Sequence, residues 1–168
     1  MDTEISALVA IIDAICADWS HPRVAMHPMG ECPFLLRSCF VEGSGMSEIS
    51  RAIPGCNAQL PAFWGLYASA DLFKDEQFGQ WGIELLDATE AHAQTAALSG
   101  LRPLDCLDGD VVFGRFYGDS DLLVMNACGR VMICRPLDER QDWPEAAGSL
   151  VGFLTRIHEA QGAKYWEA

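Results

Sequence analysis

Carboxylates two residues apart, and imidazoles and thiols grouped near the N-terminus, are the side chains of this sequence with catalytic or metal-binding potential. Asp108 with Asp110, and Asp119 with Asp121, are close enough in sequence to share acid–base work. A plainer reading puts both pairs in turns: Asp108 precedes Gly109 and Asp119 follows Gly118, where aspartate bonds nearby backbone amides. His21, His27, Cys32 and Cys39 carry zinc-ligand chemistry, but their spacing matches no finger or knuckle, and such residues in a proline-rich loop fit packing or surface roles. His92 lies in an alanine-rich helical stretch, and His158 near the end of a terminal helix, where a cation complements the dipole. Gly43-Ser44-Gly45 lacks the strand-glycine-helix setting that cradles phosphate, and no G-x-S-x-G nucleophile motif is present. Trp64, Tyr67, Phe73, Phe78 and Trp81 could line a ligand cleft, but they recur at helix and strand periods, as core residues do. These residues imply no cofactor and no metal.

Charge narrows the partners. With 24 acidic against 11 basic side chains the formal net charge is −13, which opposes the phosphate neutralisation that drives nucleic-acid binding. Residues 71 to 121 hold eleven acids against Lys74, Arg102 and Arg115, so this stretch carries most of the excess. It reads either as a solvated acidic face or as a docking surface for a basic partner. Seven cysteines, an odd number with no C-x-x-C pair, fit a reduced, cytosolic protein; Cys16, Cys128 and Cys134 sit in apolar segments and should act as small hydrophobes. The acidic start Met1-Asp2-Thr3-Glu4 is unlike a secretory signal, and Asp13 and Asp18 punctuate the one apolar run that approaches membrane-spanning character.

The elements that must position these residues follow from periodicity. Ile5, Leu8, Val9, Ile12, Cys16 and Trp19 predict a helix over 3–18, capped by Asp2 or Thr3. From Ser20 to Gly55 prolines and glycines predict irregular structure with one strand at Phe34 to Val41. A short aromatic helix is expected over Gln59 to Ala70, strands at Asp71–Lys74 and Gln80–Leu86, and a helix at Ala88 to Leu98. The stretch 111–134 predicts an antiparallel meander of three strands, 111–117, 122–125 and 131–134. Asp142 and Glu145 have capping-box spacing for a closing helix that buries Ala147, Leu150, Val151, Leu154 and Ile157 before Gly162 releases the chain. The fold class expected is α+β, with an antiparallel sheet packed against N-terminal, middle and C-terminal helices. Residues 1–168 should form a single domain, with 1–55 as N-terminal helix plus irregular segment and 56–168 as the core.

The order of motifs from Leu60 to Trp166 resembles the SUKH superfamily, which includes bacterial immunity proteins and cell-wall assembly regulators. The resemblance rests on Leu60-Pro61-x-Phe63-Trp64-x-x-Tyr67, on Asp71-Leu72-Phe73, on Trp81-Gly82, on Gly118-Asp119-Ser120-Asp121-Leu122-Leu123, and on Trp143 to Leu154 as a closing helix. The segment from Ser20 to Gly55 has no family counterpart. The resemblance implies a non-enzymatic, cytoplasmic binding module, monomer or homodimer, whose partner is a cognate toxin or other basic protein. Docking is expected from Asp75, Glu76, Glu84, Asp108, Asp110, Asp119 and Asp121, with Trp81 as an aromatic anchor. Three alternatives stay open: a regulator or scaffold on the same fold, a small metal-dependent hydrolase using His21 and His27, and a structural subunit.

Overall fold

The computed structural model describes residues 2–43, 53 and 55–167. It is an α+β fold in which one eight-stranded antiparallel sheet follows chain order from β1 to β8. Helix α1 (Asp2–Trp19) leads into β1 (Arg23–His27) and β2 (Gly30–Glu42). Helix α2 (Gln59–Leu66) runs directly into β3 (Tyr67–Asp75), then β4 (Ile83–Leu85) and α3 (Ala88–Leu101). The meander β5 (Val111–Phe116), β6 (Leu122–Met125) and β7 (Val131–Cys134) precedes β8 (Glu145–Ala147) and α4 (Leu150–Glu159). Because adjacent elements in sequence are adjacent in the sheet, every strand connection is a local one.

Register fixes the two faces. Asp71, Glu84, Arg115, Leu122 and Cys134 are successive cross-strand partners, so their side chains share one face, while Leu85, Gly114, Leu123 and Ile133 share the other. Phe116 meets Trp166, which meets Phe153 of α4, so the second face lies under α4 and its partner α1. Arg115 reaches Glu90 in α3 and Cys134 lies beside Arg102, so the first face carries α3. Toward β3 that face stays open and polar, with Asp71, Lys74 and Tyr117 in mutual contact. Desolvation and the neighbouring Asp71 push the Tyr117 phenol up to about 12.

Several expectations are corrected. The helix α1 starts at Asp2, so Thr3 lies inside it, and its buried stripe is Leu8, Ile12, Ile15 and Trp19, with Ile15 in place of Val9. Part of the segment expected to be irregular is a β-hairpin. Strand β2 begins at Gly30, because Pro33 lies beyond the first β3 pairing, Leu36 with Asp75, where a missing N–H leaves no ladder bond unmade on that side. Residues 44–52 and 54, including most of the Gly43-Ser44-Gly45 turn, lie outside the described residues. The helix expected to run to Ala70 ends at Leu66, and Tyr67 is already extended. Asp142 and Glu145 form no capping box: Asp142 ends a short 3₁₀ turn, Pro144 C=O accepts from Ile133 N–H at 2.9 Å, and Glu145 and Ala147 pair with β7. The helix instead starts after Ser149, whose hydroxyl accepts from Gly152 N–H at 3.0 Å. Thus the motif from Trp143 to Leu154 is a strand and then a helix. Cys128 is exposed in the β6–β7 turn and does not pack as a hydrophobe. All seven cysteines are free. Among the described residues no helix is long and apolar enough to cross a membrane.

One irregularity within β3 shapes the α-covered face. Phe73 has φ 49°, and its N–H donates to the buried Ser38 hydroxyl at 2.9 Å where the β2–β3 register shifts. This bulge lets consecutive residues Leu72 and Phe73 both bury on the helical side, Phe73 edge-on to Trp19 with centroids 5.0 Å apart. The same ring lies against Gly162, which has φ +81°, and a Cβ there would stand 2.5 Å from the Phe73 Cβ. Gly162→Ala is therefore expected to lower stability by about 2 kcal/mol or more. Gly148→Ala, with open space around it, should stay within about 0.5 kcal/mol of wild type. Urea midpoints measure both; equal midpoints would contradict the packing described.

Candidate functional site

The turn between β3 and β4 is organised by Asp75. This side chain is 1% exposed and accepts Gln77 and Phe78 N–H on one oxygen at 3.1 and 3.2 Å and Gln80 N–H on the other at 3.3 Å. Asp75 N–H donates to Trp81 C=O at 3.0 Å, which sets the position of Trp81. The Trp81 indole N–H donates to Gly162 C=O at 3.0 Å, tying the turn to the tail beyond α4. His27 stands tilted 5.4 Å from the Trp81 ring, with Nε2 3.0 Å from Gln161 C=O. A carbonyl can only accept, so that bond requires the proton on Nε2. Met26 N–H, on the outer side of edge strand β1, donates to the Gln161 side-chain oxygen at 2.9 Å and is thereby withheld from a new strand.

An open cleft of about 730 Å³ results, with Met26 and Met29 on one wall, Trp81 at its centre, and Glu159, Lys164 and Glu167 on the other. Met29 is 99% exposed and Met26 56%. A smaller recess of about 150 Å³ continues past Trp81 and Lys164 to Gly118 and Asp119. Gly118 packs so closely on the β3–β4 turn that a Cβ would stand 2.3 Å from Gln80 O, and its φ is +84°. That contact draws the two turns together. Lys164 bonds Asp119 and has Asp121 and Glu167 each 3.9 Å away, so one ammonium faces three carboxylates. Burial and then Asp119 push the Asp121 carboxyl above its ordinary range, against the pull of Lys164.

Only part of the sequence-derived docking set assembles here. Trp81, Asp119 and Asp121 meet at the cleft, whereas Asp108 and Asp110 sit at the other end of β5, roughly 16–20 Å away for a six-residue strand. Asp75 is spent inside its own turn and cannot touch a partner. Glu76 pairs with Arg37 at 2.8 Å, and Glu84 pairs with Arg115 at 2.6 Å on the open sheet face. Asp110 bonds the Arg140 guanidinium through both oxygens and accepts Leu107 N–H at 2.8 Å, so it fastens loops, while Asp108 is exposed. His21 contacts Ser20 at 3.2 Å, His27 contacts Trp81 and the tail, and Cys32 is buried; no group of three metal-ligating side chains occurs among the described residues. His92 is exposed on α3, while His158 contacts Asp18 at 2.9 Å and joins α4 to α1. Of the aromatic cluster, Trp64 and Phe73 are core and Phe78 is 60% exposed.

Sequence reasoning missed Met26, Met29, Glu159, Lys164 and Glu167. Pro28 and Gly30 between alternating apolar residues were the one available signal for the hairpin that lifts the methionines; the tail residues had none. No family model, curated protein or solved structure matches the chain.

Two expectations follow from these bonds. Asp75→Ala strips three backbone N–H groups of their acceptor and should cost about 1–3 kcal/mol in a urea titration, while Glu76→Ala should cost less than about 1 kcal/mol. The raised Asp121 pKa means that the native state holds this proton more tightly than the unfolded chain. Its contribution is therefore full below the ordinary carboxylate pKa and is lost as pH rises through the raised value. Accordingly Asp121→Asn should gain stability relative to wild type as pH rises from about 3 to 7, and a pH-independent difference would contradict this.

Proposed function

We propose that the protein is a non-enzymatic binding module, an immunity protein of SUKH type that occludes a basic toxin domain through the Trp81 cleft. The observation that carries this reading is the cleft's composition: exposed methionines and a half-buried tryptophan beside four carboxylates, Asp119, Asp121, Glu159 and Glu167, with Lys164 as the only lysine or arginine lining it among the described residues. Methionine adapts to irregular apolar surfaces, and tryptophan is a frequent interface anchor. Carboxylates in excess attract lysine and arginine side chains and speed encounter with a basic partner. The order of motifs from Leu60 to Trp166 supports the family and the toxin partner, and seven free cysteines fit action in a reducing cytoplasm. Of the acids first expected to dock, Asp119 and Asp121 remain in this reading, joined by Glu159 and Glu167.

Affinity purification of the tagged chain from its own cells, at low and then high salt, tests the proposal. A single basic protein should be retained at low salt and released as salt rises. Met29→Lys, at a fully exposed position, should weaken its binding about tenfold. Retention that ignores salt and Met29→Lys would sink this reading; host regulators in the eluate would favour the regulatory alternative.

A further inference from the structure

Four leucines stand out in water on two loops that a pair of arginines fastens together. Leu101 closes α3, Leu104 and Leu107 follow it, and Leu137 lies between β7 and β8; they are 82%, 94%, 58% and 97% exposed. The Arg102 guanidinium donates to the carbonyls of Arg135 at 2.8 Å, Pro136 at 3.3 Å and Asp138, and its Nε to the Asp105 carboxylate at 2.9 Å. Arg140 answers from the other loop, its N–H on the Asp105 carboxylate at 2.9 Å and its guanidinium on Asp105 C=O at 2.8 Å. Both guanidiniums lie over the Trp143 ring, 5.6 and 5.4 Å from its centroid. Connecting loops need no such leucines. Held out on a fastened frame, they present apolar area on a backbone that is already tied before anything binds.

We propose that this leucine platform is a second docking surface, separate from the Trp81 cleft, for a protein segment with an apolar centre and lysine or arginine flanks. Charge selects that occupant. Residues 101–110 and 135–142 carry six carboxylates against three guanidiniums. All three guanidiniums are committed within the chain, Arg135 to Asp138 at 3.5 Å and Glu167 at 4.0 Å. Asp108, Glu139 and Asp142 are exposed and paired with no cation among the described residues. A second copy would set the same carboxylates face to face and add −13 to −13, and an anionic bilayer would be repelled likewise. A basic-flanked segment meets attraction at the rim and apolar contact at the centre.

The test uses the full chain carrying Met29→Lys, which weakens the cleft's contribution and leaves it equal in both proteins compared, with and without Leu104→Ser and Leu137→Ser. At 94% and 97% exposure neither leucine supports the fold. The probe is a fluorescent synthetic helix with leucines on one face and lysines on the other, and the control replaces its leucines by serine at equal charge. By anisotropy, the leucine–lysine peptide should bind at least about tenfold more tightly when both leucines of the platform are present, and the serine–lysine control should not distinguish the two proteins. Equal binding to both proteins would overturn the proposal. So would a sedimenting dimer, or attachment to phosphatidylcholine vesicles, that the leucine substitutions abolish.

Discussion

The Phe73 bulge is the constraint on which the rest of the molecule depends. A bulky residue in left-handed backbone costs about 1–3 kcal/mol, and a strand would normally send Phe73 to the open, polar face of the sheet. The cost is offset by burying the ring, worth roughly 1.5–3 kcal/mol, and by the Ser38 hydroxyl that takes up the displaced N–H. Once turned, the ring seats Trp19 at the end of α1 and presses on Gly162 beyond α4. Gly162 then offers its carbonyl to Trp81, and the adjoining residues place Gln161 against β1 and Lys164 against Asp119. The cleft is thus a consequence of core packing several residues away from it.

The acidic excess is distributed by role. Asp75 organises a turn, Asp87 caps α3 through Glu90 N–H at 2.8 Å, Asp110 and Asp105 clamp two loops through Arg140 and Arg102, and Glu84 pairs across the sheet. These carboxylates are consumed by backbone amides and guanidiniums, and little of their charge faces a partner. Of the rest, some stand around Lys164 at the cleft and along the rim of the leucine platform, and others, such as Asp13, Glu31 and Glu42, are scattered over the surface. A net charge therefore overstates how much carboxylate is free to meet a partner.

Elements whose periodicity is local and strong were legible in the sequence: α1, α3, and the β5–β7 meander with its aspartate and glycine turns. Asp119 and Asp121 in a turn were also readable, whereas Trp81, whose spacing pointed to the core, stands half-buried at the cleft. Two kinds of information were not. Capping-box spacing at Asp142 and Glu145 is a local pattern, and it was overridden by the unpaired edge of β7, which recruits Pro144 to Ala147 as a strand. The long β2 was obscured by Pro33, whose tolerance depends on where β3 stops. The cleft joins residues 26–29, 81, 118–121 and 159–167, and their meeting is set by register and by the Phe73–Gly162 contact, to which no short-range pattern points.

The proposed meeting of the Trp81 cleft with a basic partner is open to direct measurement. Amide and tryptophan-indole NMR shifts, followed while the basic protein recovered from the source cells is titrated into the isotope-labelled chain, test it most directly. Perturbations should concentrate at Met26 to Met29, Trp81, Gly118 to Asp121 and Lys164 to Glu167. Perturbations confined to Leu101–Leu107 and Arg135–Asp138, or to the open face around Asp71 and Arg115, with the Trp81 indole unmoved, would contradict it.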